Sequence, residues 1–227
     1  MKAVPMSFAE VMSQLEAAGT PKVREINRRQ GADENQFGVM FGTLRALAKK
    51  IKTDHALALQ LWQSGNMDAR LLASMIMDAG QLSAEALEAM LREVTWLRLF
   101  DEFCFNVAAR HPQAKELRER WTHDDNAYLA RAGWNMLISA VGEDTSEGEA
   151  YSAVLDRMDA ELKDTPAIAQ EAMNRCMVEI ATHFPAHTAR AIAIGEKYGR
   201  LDDKPVPKGC TSSYAPDWIA AILKRKQ

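Results

Sequence analysis

The chain has 227 residues, 47% of them hydrophobic and 26% charged, which is enough apolar material for a packed core and argues against disorder. A net charge of -3 excludes a uniformly cationic nucleic-acid binder but leaves room for a local basic face. No run of about 18 apolar residues occurs, so no transmembrane span is expected, and the isolated cysteines Cys104, Cys176 and Cys210, with no CxxC pair, fit reduced thiols in a cytoplasm better than a zinc site.

The N-terminus, MKAVPMSFAEVMSQLEAAG, lacks a secretory apolar core and reads as an amphipathic helix. Ser7 with Glu10 forms a capping-box pattern at its start, and Gly19 closes it. Thr20-Pro21 opens the next helix with proline at its first position. Ser83 and Thr165-Pro166 mark two further starts. Breaks fall at Gly31, Ser64-Gly65-Asn66, Ala79-Gly80, His111-Pro112, Gly142-Glu143-Asp144 and Phe184-Pro185. His123-Asp124-Asp125 is read as a helix start, with the aspartates as caps. Strand signals are absent, and roughly twelve helices joined by short turns are expected. His183 and His187 have i,i+4 spacing, but Pro185 lies between them and is expected to end the helix that holds His183, which argues against a shared metal.

Four segments are small or apolar almost throughout: DARLLASMIMDAG from Asp68, LFDEFCFNVAAR from Leu99, YLARAGWNMLISAV from Tyr128 and IAQEAMNRCMVEIATH from Ile168. They recur about every 30 to 40 residues, each after a more polar helix, an alternation of outer and inner helices that HEAT-type repeats require. The expected fold is all-α, an α-α superhelix of HEAT-like helical repeats with a concave groove; an irregular helical bundle is the alternative. Residues 1–200 are expected to form the repeat domain. Residues 201–213 read as an extended connector, and 214–227 as a short helix packed on the same domain. Trp62, Trp121, Trp134, Trp218 and most of the methionines fit core positions.

Asp101 shares a helical stripe with Leu97, Cys104, Phe105 and Ala108, and a carboxylate there must be either paired or open to a solvated groove. Arg131 and Arg175 fall on the later inner helices, so the three side chains are expected to line one groove. Lys22, Arg24, Arg28 and Arg29 crowd the second helix, and Arg45, Lys49, Lys50 and Lys52 the third. Such faces either grip phosphates or are ordinary solvated surfaces. Gly38 in FGVMFG reads as a turn, with close approach to a phosphate as the alternative.

NQFGVMFGTLRALAKKIKTDHALALQLWQSGNMDARLLASMI, the segment around WLRLFDEF, and RWTHDDNAYLARAGWNMLI together resemble the DNA alkylation repair family of AlkD-like HEAT-repeat proteins. That resemblance implies a DNA glycosylase, a hydrolase that excises cationic N3- or N7-alkylpurines from duplex DNA without metal or cofactor. It implies Asp101 as the catalytic carboxylate and Arg131 as the residue supporting the nucleotide backbone. The family's two pocket tryptophans fall at Leu97 and Arg175 here, with Trp96 one residue from the first. A cytoplasmic monomer acting on duplex DNA is expected, with Arg45, Lys49, Lys50, Arg175 and Trp96 as further DNA contacts. A catalytically lapsed nucleic-acid or protein scaffold is the alternative.

Overall fold

The computed structural model describes residues 6–146, 148, 150–201 and 212–226. Among these, the regular structure is helical, apart from one isolated antiparallel bridge between Gly19 and Val39. The chain forms two compact units, Met1–Ala114 and Lys115–Gln227. Unit 1 holds α1 (Phe8–Ala18), α2 (Pro21–Arg29), α3 (Phe41–Ile51), α4 (His55–Gln63), α5 (Met67–Ile76), α6 (Ala84–Arg92) and α7 (Leu97–Asn106). Unit 2 holds α8 (Ala114–Trp121, whose first residue closes unit 1), α9 (Ala127–Glu143), α10 (Tyr151–Glu161), α11 (Ala167–His183), α12 (Pro185–Tyr198) and α13 (Ala215–Lys226). Most of the expected connector, with Cys210, lies outside the described residues.

The helix starts follow their local chemistry. Ser7 and Glu10 form a complete capping box on α1, and Thr20, Ser83, Asp54 and Asn66 each accept amides of the helix they precede. One expected start moves. Asn126, not the Asp124-Asp125 pair, caps α9; Asp124 instead accepts the Asn126 amide at 2.9 Å. Pro185 ends α11 as expected, and it becomes the first residue of α12. His183 and His187 then turn to different carbonyls, those of Asp144 and Gly148.

Unit 1 is built around α5, which packs against α3, α4 and α7. Eight of its ten residues are buried, Asp68 among them at 0% exposure. A carboxylate in such a place is tolerable only if its oxygens are satisfied. Asp68 accepts three consecutive backbone amides from the loop before α3: Phe37 at 2.7 Å, Gly38 at 2.9 Å and Val39 at 3.0 Å. The same loop is tied on its other side, where the Thr20 amide donates to the Gly38 carbonyl at 2.9 Å. Gly38 makes that crossing feasible. Its φ is +78°, and a Cβ there would sit 2.5 Å from the Arg24 nitrogen.

In unit 2, α9 and α11 are 17 residues each and pack along one another, with α13 on α11 and α12. Gly133 in α9 lets the end of α8 come close, because a Cβ would meet the Thr122 nitrogen at 2.4 Å. Trp121, Trp134, Met158, Met173, Cys176 and Ile180 are all at 2% exposure or less. Trp62 is likewise buried, whereas Trp218 is half-exposed.

Replacing Asp68 with Asn puts an amide donor against buried N–H groups. The expected loss is about 3 kcal/mol of unfolding free energy, read from urea denaturation, with wild-type helicity retained at zero denaturant.

Candidate nucleic-acid interface

The two cationic helices of unit 1 differ. On α2 the guanidinium groups are matched: Arg28 and Arg29 pair with Glu25 at 2.7 and 2.9 Å, and Arg24 and Arg28 approach Glu34 at 3.5 and 3.7 Å. On α3, Leu44 and Leu47 face the core, while Arg45, Lys49 and Lys50 stand on the exposed side. Among the described residues, neither Lys49 nor Lys50 has an ion-pair partner. Arg45 and Lys49 are one turn apart, so their charges add along one stripe.

The start of α3 meets α7 through side chains. Phe41, its first residue, holds the Arg45 guanidinium 4.5 Å from its ring centroid and the Arg98 guanidinium of α7 at 4.7 Å. Two cations are therefore held no more than 9.2 Å apart by one half-buried ring. Stacking restrains the planar groups and leaves their N–H edges available to oxyanions. No side chain caps the first turn of α3, and space around Gly42 is open.

On α7 the open stripe is Arg98, Asp101, Glu102 and Phe105, at i, i+3, i+4 and i+7; Leu99, Phe100, Phe103 and Cys104 form the buried face. Asp101 is half-exposed, on the boundary between the two faces. Burial pushes the Glu102 carboxyl above the usual carboxylate range, and the nearby Asp101 adds to this. A hydrogen bond from Asn106 (3.2 Å) and the charges of Arg45 and Arg98 act in the opposite direction. Asp101 thus shares an electrostatic neighbourhood with the cations of α3 and α7.

The remaining expected site residues lie otherwise. Trp96 is 2% exposed and precedes α7 as its N-cap, in extended conformation. The buried ring offers no open face to a base, so the expected contact of Trp96 with DNA has no surface to use. Arg131, in unit 2, has 5% side-chain exposure; it donates to the Ile168 carbonyl at 2.7 Å and to Glu171 at 3.2 Å, joining α9 to α11. Arg175 is exposed on α11 of the same unit. Asp101 belongs to unit 1. Phe41 and Arg98 were not singled out by sequence. The Phe41–Arg45 spacing of i,i+4 was visible there, but the approach of Arg98 is tertiary.

The fold belongs to a recognisable class, the HEAT-like helical-repeat proteins. A solved structure from a family related to the HEAT-like repeat DNA glycosylases, with affinity for branched DNA structures, superposes with a TM-score of 0.83 at 25% identity, over 97% of this chain and 95% of that one. The uncharacterised proteins Lin0241 of Listeria innocua and Lmo0209 of Listeria monocytogenes are 22% and 21% identical, each over 97% of this chain and 98% of their own. Residues 11–219 match the DNA alkylation repair enzyme family, and the chain belongs to that family.

Two outcomes follow from this geometry. Because the folded state raises the Glu102 pKa, the wild type loses stability as pH rises from the unfolded carboxylate range through the folded value. Glu102→Gln removes that loss. It is expected to be more stable than wild type at pH 7 and to lose the advantage below pH 4.5, as read by denaturant melts across that range. Arg131→Met is expected to cost about 2 kcal/mol of stability while leaving the salt dependence of DNA binding unchanged, as measured by melts and fluorescence anisotropy.

Proposed function

We propose that this chain binds DNA through its sugar-phosphate backbone along the exposed face of α3 and the start of α7, and that it prefers distorted or branched DNA to linear duplex. The carrying observation is the pair of guanidinium groups held on Phe41, on the same helix as Lys49 and Lys50, which have no ion-pair partner among the described residues. Stacked arginines suit phosphate oxygens, and each ion they displace from DNA adds to salt sensitivity. Family membership and the branched-DNA affinity of the related solved protein support the choice of nucleic acid and of its form. The chain is taken to act as a monomer.

A second reading, base excision, is favoured by the half-open position of Asp101. An N3- or N7-alkylated purine is already a cationic leaving group, so its departure needs no protonation. The carboxylate would stabilise the oxocarbenium-like sugar and orient the attacking water. The burial of Trp96 and the engagement of Arg131 within α9–α11 weigh against this reading, since neither is placed to hold a base or its backbone.

Anisotropy titrations with linear duplex and a four-way junction, at several salt concentrations, test the first reading. Lys49→Ala and Lys50→Ala are each expected to weaken binding to both DNAs and to reduce the slope of log K against log salt by about 1. Unchanged slopes would move the interface elsewhere. The second reading is tested on duplex carrying N7-methylguanine: base release that disappears in Asp101→Asn supports it, and release equal in both proteins removes Asp101 from the chemistry.

A further inference from the structure

Unit 2 contains a pocket of about 540 Å³ between α8, α9 and α10, lined by none of the residues assigned to the DNA interface. That is the size of a small-ligand site. Leu137 of α9 and Ala153 and Val154 of α10 give it an apolar lining, with Trp134 beside them. Lys115 and Arg118, one turn apart on α8, supply cations on one wall.

The charges of the lining are unevenly satisfied, and they include Glu119 on the same wall, which forms no ion pair with Arg118 among the described residues. Arg157, whose guanidinium lies 5.1 Å from the Trp134 ring, is already engaged: it donates to the Thr122 carbonyl at 2.5 Å and to Glu161 at 2.7 Å. The Asp144 carboxylate is occupied by the Ser146 amide at 2.7 Å and by the Tyr151 hydroxyl, which together hold it below the usual carboxylate range. Burial and the Asp144 contact push the Tyr151 hydroxyl up, so it stays protonated and keeps donating to Asp144. Arg118 is half-buried and near enough to influence both Tyr151 and the buried Cys176. Among the described residues, its guanidinium has neither an ion-pair nor a hydrogen-bond partner. The Arg118 donors are thus left to water or to an anion entering the pocket, where the apolar neighbours reduce screening.

We propose that this pocket is a ligand site for a small organic oxyanion, with a carboxylate or phosphate-monoester head gripped by Arg118 and an apolar body seated on Leu137, Ala153 and Val154. The planar fork of arginine matches either head in a bidentate fashion, and Lys115 adds a second charge at the rim. The head alone would leave the apolar lining wet, so a ligand combining both parts is favoured over a bare anion. This site is independent of the α3 face and of any reading of DNA binding.

Isothermal titration calorimetry and thermal melts of the full chain, with benzoate, phenyl phosphate and inorganic phosphate as probes, test it. One of the two aromatic anions is expected to bind and raise Tm, at least tenfold more tightly than inorganic phosphate, and the better of the two identifies the head. Arg118→Met is expected to weaken that binding at least tenfold. Val154→Trp, which fills the cavity and leaves the cation in place, is expected to abolish it; either variant suffices if the other fails to fold. No binding at millimolar probe overturns the proposal, as does affinity unchanged in Arg118→Met, or inorganic phosphate binding as tightly as phenyl phosphate. Weaker binding of linear duplex by Arg118→Met, without any small-anion binding to the wild type, also overturns it and gives the cation to nucleic acid.

Discussion

One buried carboxylate sets the geometry of unit 1. Asp68 sits in the first turn of the most enclosed helix and accepts three successive amides from the loop that delivers α3. Each amide would otherwise be an unsatisfied donor in a dry place, so loop and carboxylate stabilise each other. The arrangement fixes where Met40 ends and Phe41 begins, and through Phe41 it fixes the two guanidinium groups that lean on that ring. A surface that handles phosphate is thereby referenced to the core rather than left to long, free side chains. Gly38 is part of the same device: its positive φ lets the loop pass against the start of α2 while its amide faces Asp68.

Much of the fold was legible because helix chemistry is local. A capping serine, a proline at a first position and a closing glycine act within one turn, and the reading from Ser7, Thr20 and Ser83 needed nothing else. The failures share a cause. Asp124 and Asp125 are as acceptable as Asn126 for capping α9, and only the loop's path decides which oxygen faces the free amides. Trp96 was expected to contact DNA, yet it precedes α7 in extended conformation and its ring is buried by residues distant in sequence.

The same limit governs the site. On α7 the reading put Asp101 in an apolar stripe; the structure puts it on the border of an open one with Arg98 and Glu102, because the buried face is centred on Phe100 and Phe103. A short helix carries two plausible faces, and its neighbours choose between them. The arginines make the point more sharply. Arg131 and Arg45 look alike in sequence, each among small or apolar residues, whereas Arg157 stands between Asp156 and Asp159. Arg131 spends its donors on the Ile168 carbonyl and Glu171, and Arg157 spends its own on the Thr122 carbonyl and Glu161. Arg45 instead rests on a ring, which restrains it without consuming its donors. Glu161 is a local i,i+4 partner of Arg157, but the others lie some 35 to 40 residues away, and no local pattern records them.

Charge is distributed by the same logic, which is why a net charge of -3 is compatible with a phosphate-facing surface. Around α2, Glu25 of the helix and Glu34 of the loop that follows sit among the guanidinium groups and cancel them locally. On α3 no carboxylate follows at helical spacing, so Arg45, Lys49 and Lys50 keep their field. The nearest counter-charges are Asp101 and Glu102 on α7, and burial favours the neutral form of Glu102. The acidic pair remains close enough to discourage indiscriminate anions, and a flexible cationic tail of the same total charge would lack that restraint.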